Sequence, residues 1–290
     1  MFKKTEIISL SNVGDLTYPY IKLDGKLNTI KEIVNDQHKI STKIKDAKKP
    51  IIIFGQSALI TKFGKYIFES IKSYLIKNKK ISNDWNSLNV ISEHASTVGS
   101  LDLGIYKTVN GSNEVLTDLE NHKYDIVYLL GQDSLKFNKQ NEFVIYQGSH
   151  GDYGAEIADI ILPGSTYTEQ DGYFTNLEGK LQKAFKASYP PGEAKEDWQI
   201  INELYGIITN KKLFSDKAEL NSAMLNYLNL FKENNLSKNH SELTNLIHEN
   251  EIIVMQDNDY YYSNSIARSS KTMSNCRNEK TNLKLTGTEG

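Results

Sequence analysis

Two short apolar runs with a glycine-rich loop between them constrain this chain most. Residues 143–147 are apolar or β-prone and end at Gly148, and residues 160–162 form a second run that ends at Pro163. Continuous apolar runs of this length are typical of strands buried in a parallel sheet. The intervening residues 148–154 hold three glycines and several polar side chains, which predicts a sharp loop that enters a short helix.

Further strands and helices extend this pattern to an α/β fold. Apolar runs predict strands at residues 50–54 and 125–130, and small polar residues after Pro163 predict a hairpin. Helical periodicity predicts one helix in each of the segments 27–44, 55–77, 85–98, 196–209 and 213–233. We therefore predict an α/β, Rossmann-like parallel sheet flanked by helices, with a helical and extended C-terminal tail.

The loops that follow the predicted strands are the candidate ligand cleft, because open α/β sheets bind ligands outside the carboxyl ends of their strands. The polar and glycine residues there are Gly131, Gln132, Asp133, His150, Asp159 and Glu169. No nucleophile or second base lies beside His150 in the sequence, so no catalytic residue is assigned. Asp159 and Glu169 are interpreted as residues that pin a loop and cap a turn.

Charge and cysteine content exclude several kinds of protein. The net charge is −2 and the sequence pI is near 6.3, which gives no electrostatic footprint for nucleic acid or an anionic membrane surface. Cys276 is the single cysteine, whereas an iron–sulfur cluster needs about four thiolates. Gly55 and Gly64 do not have the spacing of a dinucleotide-binding fingerprint. We expect no metal site and no cofactor in this chain.

The stretch HGDYGAEIADIILPGSTYTEQDGYFTNLEGKLQ resembles the signature of the molybdopterin-oxidoreductase superfamily, in which an A-D-x-x-L-P strand precedes E-x-x-G and N-x-E-G-R-x-Q. The matching residues are Ala158, Asp159, Leu162, Pro163, Glu169, Gly172, Asn176, Glu178, Gly179 and Gln182, with Lys180 in place of the usual Arg. The loop after strand 125–130 departs from the catalytic relatives. They typically have G-x-N-P at a contact with the nucleotide end of the cofactor, and this chain has GQDS.

Within that superfamily the chain is most similar to one branch, the C-terminal domain of the large iron–sulfur subunit of respiratory complex I, the 75 kDa subunit of mitochondria. The similarity is carried in order by KKPIIIFGQSALI, YDIVYLLGQDS, YQGSHGDYGAEIADIILPGSTYTE, YPPGEAKEDWQII and DYYYSNSIARSSKTMSNCR. It implies a structural part of NADH:ubiquinone oxidoreductase that does no chemistry itself. In that family the iron–sulfur clusters lie in an N-terminal segment of the subunit.

The resemblance also implies partners and a location. Because the chain begins with Met1 and lacks the cluster segment, we expect a split subunit whose N-terminal fragment is a separate polypeptide. That fragment and other peripheral-arm subunits would be its partners, on the matrix side of the mitochondrial inner membrane. A bias toward Lys, Asn and Ile suits an AT-rich organellar gene, and the first ten residues do not resemble a targeting peptide.

Two alternatives stay open, a fragment of a catalytic molybdopterin-dependent oxidoreductase and a free-standing α/β ligand-binding module. The chain has only two arginines, Arg268 and Arg277, which disfavours a pyrophosphate-bearing cofactor. We predict three segments: a connector and helix at 1–47, the α/β domain at 48–210, and C-terminal helices with an extended tail at 211–290. Within the last segment, residues 271–290 are expected to be extended or frayed.

Overall fold

The computed structural model describes residues 5–10, 17–82, 84–105, 112–234, 252–253 and 259–285. The chain folds into two compact units. Unit 1 comprises residues 1–94 with 237–257, and unit 2 comprises residues 95–236 with 258–290. The three-segment division drawn from the sequence stays a prediction. The sequence offers Asn83 or Asp84 as the N-cap of the helix predicted at residues 85–98, and residue 83 lies outside the described residues.

Unit 1 pairs short parallel strands with helices. In chain order its elements are β1 (Ile8–Ser9), β2 (Ile21–Lys22), α1 (Leu27–Val34), α2 (Lys39–Asp46), β3 (Ile52–Gly55), α3 (Gln56–Leu59), α4 (Gly64–Lys77) and β4 (Leu88–Ile91). Strand β1 pairs with β2, and β3 pairs with β4, both in parallel. The strand predicted at residues 50–54 is therefore confirmed. The segment 55–77, predicted as one helix, is helical but divides into the short α3 and the longer α4.

The core of unit 1 lies where the apolar sides of α1 and α4 meet β3. Apolar residues recur every three or four positions in α1 and α4, so each helix buries one side. The buried cluster consists of Leu27, Ile30, Phe54, Phe63, Ile67, Ile71, Leu75 and Ile253. The N–H of Ile253 donates to the carbonyl of Gly25 at 2.9 Å, so a residue distant in the sequence completes this core.

The single helix predicted for residues 27–44 is wrong, because the structure has α1 and α2 there. Asp36 follows α1 with φ of +63°, a left-handed conformation that ends an α-helix. His38 then caps α2 through its ring nitrogen Nδ1, which accepts the N–H of Ile40 at 3.2 Å. The apolar spacing continues across the break, which hides it in the sequence.

The helix predicted for residues 85–98 is also wrong, because its centre is strand β4. Residues Leu88–Ile91 pair with β3, and Trp85 Nε1 donates to the Pro50 carbonyl at 3.1 Å. Short apolar runs are ambiguous between strand and helix, and here the partner strand decides. Helix α5 (Thr97–Asp102) begins only after this strand.

Unit 2 contains a three-stranded parallel sheet flanked by helices and followed by a hairpin. After α5 its elements are α6 (Ser112–Glu120), β5 (Ile126–Leu130), β6 (Phe143–Gly148), α7 (Tyr153–Ile157), β7 (Ile160–Pro163), β8 (Gly172–Thr175), β9 (Leu181–Ala184), α8 (Asp197–Thr209), α9 (Lys217–Asn234), a 3-10 helix (Tyr260–Tyr262), α10 (Ser265–Ser269) and α11 (Lys271–Leu285). The sheet order is β5-β6-β7. The predicted α/β class, the three strands and the hairpin are confirmed.

Side chains alternate between the two sides of a strand, and those on one side of this sheet form a buried core. Leu129, Val144 and Tyr146 are buried at 0–4% exposure, and α7 packs against the same side. Val144 lies beside Val127, and Tyr146 lies beside Leu129, so the register aligns four side chains on that side. The central strand β6 is therefore the best-covered part of the sheet.

The C-terminal part of unit 2 is more helical than predicted. Residues 271–285, expected to be extended, form α11, so that prediction is wrong for this segment; residues 286–290 are outside the described residues. The run lacks Gly and Pro, and the Ser270 hydroxyl accepts the Met273 N–H at 3.3 Å at its start. Its polar composition concealed the helix because no apolar side is present. Among the described residues, no helix is long and apolar enough to cross a membrane.

Candidate functional site

The loops at the carboxyl edge of the β5-β6-β7 sheet form the candidate site. Gly131, Gln132 and Asp133 directly follow β5, and His150 follows β6, so parallel pairing brings these four predicted residues to one edge. The N–H of Gly154 donates to the carbonyl of Asp133 at 3.2 Å, which joins the two loops. We call residues 131–134 and 149–154 the edge loops.

The ring of Tyr146 fills the curve of the glycine-rich loop. Its hydroxyl donates to the His150 carbonyl at 2.8 Å, and the residue is 2% exposed. A Cβ on Gly148 would lie 2.2 Å from that hydroxyl, and one on Gly154 would lie 2.8 Å from ring atom Cδ2. Burial and the carboxylates of Asp133 and Asp152 raise the pKa of Tyr146. The glycines therefore make room for a side chain of this protein.

Arg268 joins the two edge loops. Its Nε donates to Asp152 Oδ2 at 2.5 Å, and its Nη2 donates to Asp133 Oδ1 at 3.0 Å. The third nitrogen, Nη1, donates to the Tyr262 carbonyl at 3.1 Å. The sequence contained no signal for these contacts, because Arg268 is 116 residues from Asp152 and 135 from Asp133.

The other predicted residues make local contacts. His150 Nδ1 lies 3.0 Å from the Ser149 hydroxyl, and Gln132 Oε1 accepts the Ser134 hydroxyl at 3.4 Å. Gly131 has φ of +61°, a conformation that glycine adopts without strain. Among these contacts, the hydroxyl of Ser149 is the group with nucleophilic character beside the His150 ring.

Asp159 lies away from the edge loops, at the amino end of β7. Its Oδ2 accepts the Val144 N–H at 2.7 Å and the Lys139 ammonium at 2.7 Å. Lys139 first, and then the Val144 N–H, lower the pKa of Asp159. The prediction that Asp159 bonds a backbone N–H is confirmed, and the structure does not bring it together with His150.

Glu169 belongs to the turn after β7. Its Oε2 accepts the Thr166 N–H at 3.1 Å, while its own N–H donates to the Thr166 carbonyl at 2.9 Å. This reciprocal pair is the turn cap predicted for Glu169.

A buried polar network that sequence reasoning missed lies on the other side of the sheet. Gln147 is fully buried, accepts the Tyr128 hydroxyl and donates from Nε2 to Asp197 Oδ1 at 2.8 Å. Gln170 Nε2 lies 3.4 Å from the second oxygen of Asp197. Burial, and then the charge of Asp197, raise the pKa of Tyr128. The available signal was a glutamine at the end of an otherwise apolar strand.

Comparison with known proteins identifies the family. The molybdopterin oxidoreductase family matches residues 1–207, which is most of the chain. The chain belongs to this family. The NADH-ubiquinone oxidoreductase 75 kDa subunit of Reclinomonas americana is similar to the chain over nearly all of its length. It is 35% identical over 278 residues, covering 93% of this chain and 40% of that protein.

Bacterial proteins give the same result. An NADH-quinone oxidoreductase subunit of Rickettsia bellii (strain RML369-C) is 36% identical over 278 residues, covering 93% of this chain and 39% of that protein. The corresponding subunit of Rickettsia conorii (strain ATCC VR-613 / Malish 7) is 34% identical over 283 residues, covering 94% and 40%. The predicted resemblance is confirmed, and the chain spans about two fifths of the length of these relatives.

The carboxyl edge of this family member does not fit the phosphate-bearing pterin that the family name implies. A phosphate needs cationic or N–H donors. At this edge the guanidinium of Arg268 is already paired with the carboxylates of Asp133 and Asp152, which would repel a phosphate. The Tyr146 ring occupies the curve of the loop that would otherwise approach a ligand. Among the described residues, no group of three or more His, Cys, Asp or Glu is placed to hold a metal ion.

Proposed function

We propose that this chain is a structural, cluster-free part of the peripheral arm of respiratory complex I, the NADH:ubiquinone oxidoreductase. The observation that carries the proposal is 35% identity to an NADH-ubiquinone oxidoreductase 75 kDa subunit over 93% of the chain. The surrounding complex would oxidise NADH, pass electrons along iron–sulfur clusters to ubiquinone and translocate protons. The present chain would carry none of these electrons.

A separate polypeptide would supply the clusters and the remainder of the subunit. The relatives are about two and a half times as long as the part that this chain matches. Each cluster requires about four thiolates, and Cys276, the chain's one cysteine, is free and exposed. The cluster-bearing fragment and other peripheral-arm subunits are therefore the proposed partners.

An apolar groove in unit 2 is the proposed packing surface. The groove measures about 550 Å³ and lies between the end of β7 and helix α8, with Leu162, Ile200, Leu204 and Ile207 among its lining residues. Ile207 is 79% exposed and its neighbour Ile208 is 72% exposed. Adjacent exposed isoleucines beside a groove favour contact with another protein surface.

A catalytic molybdopterin-dependent enzyme fragment is the second candidate, and the family match favours it. Against it stands the edge itself, where Arg268 is paired with Asp133 and Asp152.

The proposed location is the matrix side of the mitochondrial inner membrane, supported by the sequence resemblance to the mitochondrial branch.

Affinity capture tests this function. A tagged chain would be purified from membranes solubilised in mild detergent, its partners identified by mass spectrometry and its iron and molybdenum measured. We expect complex I subunits, a cluster-bearing fragment and iron without molybdenum. Ile207→Asp should reduce this recovery, whereas Ile60→Asp, at an isoleucine of unit 1 that is 55% exposed, serves as the matched control. Recovery of the chain alone with stoichiometric molybdenum would support the catalytic alternative.

A further inference from the structure

The C-terminal segment, residues 259–285, is organised so that Arg268 has a fixed position. Asp259 Oδ2 accepts Arg277 Nε at 2.5 Å, which ties α11 to the start of the 3-10 helix. Asn264 caps α10 by accepting the Ala267 N–H at 2.9 Å. The Tyr262 carbonyl then accepts one nitrogen of Arg268 at 3.1 Å, so the segment itself orients the guanidinium.

The two acidic partners of Arg268 come from different edge loops. Asp133 follows β5 and Asp152 follows β6, and their side chains are 15% and 24% exposed. Partial burial reduces screening by water, so two carboxylates facing one place repel each other unless a cation lies between them. The side chain of Arg268, 25% exposed, supplies that cation.

We propose that the carboxyl edge of the sheet is a guanidinium-binding site and that Arg268 is its internal ligand. The planar fork of arginine reaches Asp152, Asp133 and the Tyr262 carbonyl with three different nitrogens. Arg268 thus occupies the edge at which open α/β sheets bind ligands, and its contacts there order the C-terminal segment. The proposal does not depend on membership of complex I.

The site would discriminate by shape as well as by charge. A lysine ammonium is a compact point charge and cannot present three donors in the fixed fork that these acceptors require. A free methylguanidinium ion can present that fork to the two carboxylates of the edge loops, because it keeps the planar group and lacks only the tether. Urea has a similar planar shape without the charge, so it is the matched control ligand.

Hydrogen exchange of the full chain, with any partner it retains, tests the proposal. In Arg268→Ala we expect amide exchange to rise roughly tenfold in the edge loops and in residues 259–269. Added methylguanidinium should restore protection to the edge loops and leave the untethered segment unprotected, and urea at the same concentration should restore neither. Lys271→Ala, which removes an exposed cation from the first turn of α11, should leave the edge loops protected.

Arg268→Lys keeps the charge and provides a second variant if the alanine protein does not fold. It should show the same rise in edge-loop exchange, to a smaller degree, and the same response to methylguanidinium. Unchanged edge-loop exchange in either folded variant would overturn the proposal. Equal restoration by urea and methylguanidinium would also overturn it, because the site would then lack selectivity for the cation.

Discussion

The backbone of Gly154 lies against the ring of Tyr146, so closely that a Cβ on residue 154 would be 2.8 Å from ring atom Cδ2 and 2.8 Å from the Gln132 carbonyl oxygen. The glycine-rich loop after β6 is therefore shaped around an aromatic side chain. Gly148 and Gly154 have a packing role that a search for phosphate-binding loops would misinterpret.

Gly154→Ala should destabilise unit 2, because the backbone oxygen of Gln132 cannot move aside as a side chain would. Overpacking of this kind costs about 1–3 kcal/mol in unfolding free energy. Denaturant unfolding measures the change. Gly151→Ala is the matched control, since nothing lies within 4 Å of a Cβ at residue 151. Equal stability of the two variants would contradict the packing role.

Gln147→Leu should destabilise the protein although it replaces a polar side chain with an apolar one of similar size. It leaves the Tyr128 hydroxyl and Asp197 Oδ1 without the bonds that Gln147 makes. An unsatisfied buried group costs about 1–3 kcal/mol. The control is Gln182→Leu at an exposed position of β9, which should change the unfolding free energy little. A neutral or stabilising effect of Gln147→Leu would show that the network is dispensable.

The ionised carboxylate of Glu142 should stabilise the folded protein, and acid should remove this contribution. The backbone N–H of Gln140 first, then that of Glu142 itself, and then His122 Nδ1 at 2.7 Å, lower the pKa of Glu142 to about 2. A carboxylate with a lowered pKa stabilises the fold above its ordinary pKa and loses that contribution as the pH falls toward the folded-state value. The stability difference between wild type and Glu142→Gln should therefore narrow between pH 4.5 and about 2.

Chemical unfolding at several pH values measures this difference. Glu178→Gln removes one exposed carboxylate from the β8–β9 turn and is the matched control. A difference between wild type and Glu142→Gln that stays constant over the acid range would contradict the role assigned to Glu142.

Tyr74 should ionise only under strongly alkaline conditions. Burial, and then its hydrogen bond to Asp36 Oδ1 at 3.0 Å, raise the pKa of Tyr74 to about 12. Ultraviolet titration of the folded protein should show late-ionising phenols, and Tyr74→Phe should remove one of them. Loss of the hydroxyl should cost about 1 kcal/mol in unfolding free energy. A titration curve unchanged by Tyr74→Phe would refute this assignment.

Sequence reasoning found the strands of unit 2 because their signals are local. Residues 126–130 and 143–148 are continuous apolar runs that end at glycines, and the hairpin follows from dense small residues. It placed Leu88–Ile91 in a helix because four apolar-rich residues fit either period, and only pairing with β3 decides.

The sequence predicted where in the fold the candidate site lies, but not which side chains contact one another there. The strand-end loops followed from the order of the elements, so Asp133 and His150 were placed at one edge correctly. Their relation to Arg268 was not predictable, since a salt bridge across 116 or more residues leaves no periodic signal. Tyr146 and Gln147 were assigned to a strand, but which of them would be enclosed by glycines depends on packing alone.

Native electrophoresis of membranes solubilised in mild detergent, stained for NADH dehydrogenase activity, shows whether this chain is part of complex I. The chain would be located in the gel by mass spectrometry. We expect co-migration with the active band, together with a second polypeptide that supplies clustered cysteines. Migration as a small free species, particularly one that carries molybdenum, would contradict it.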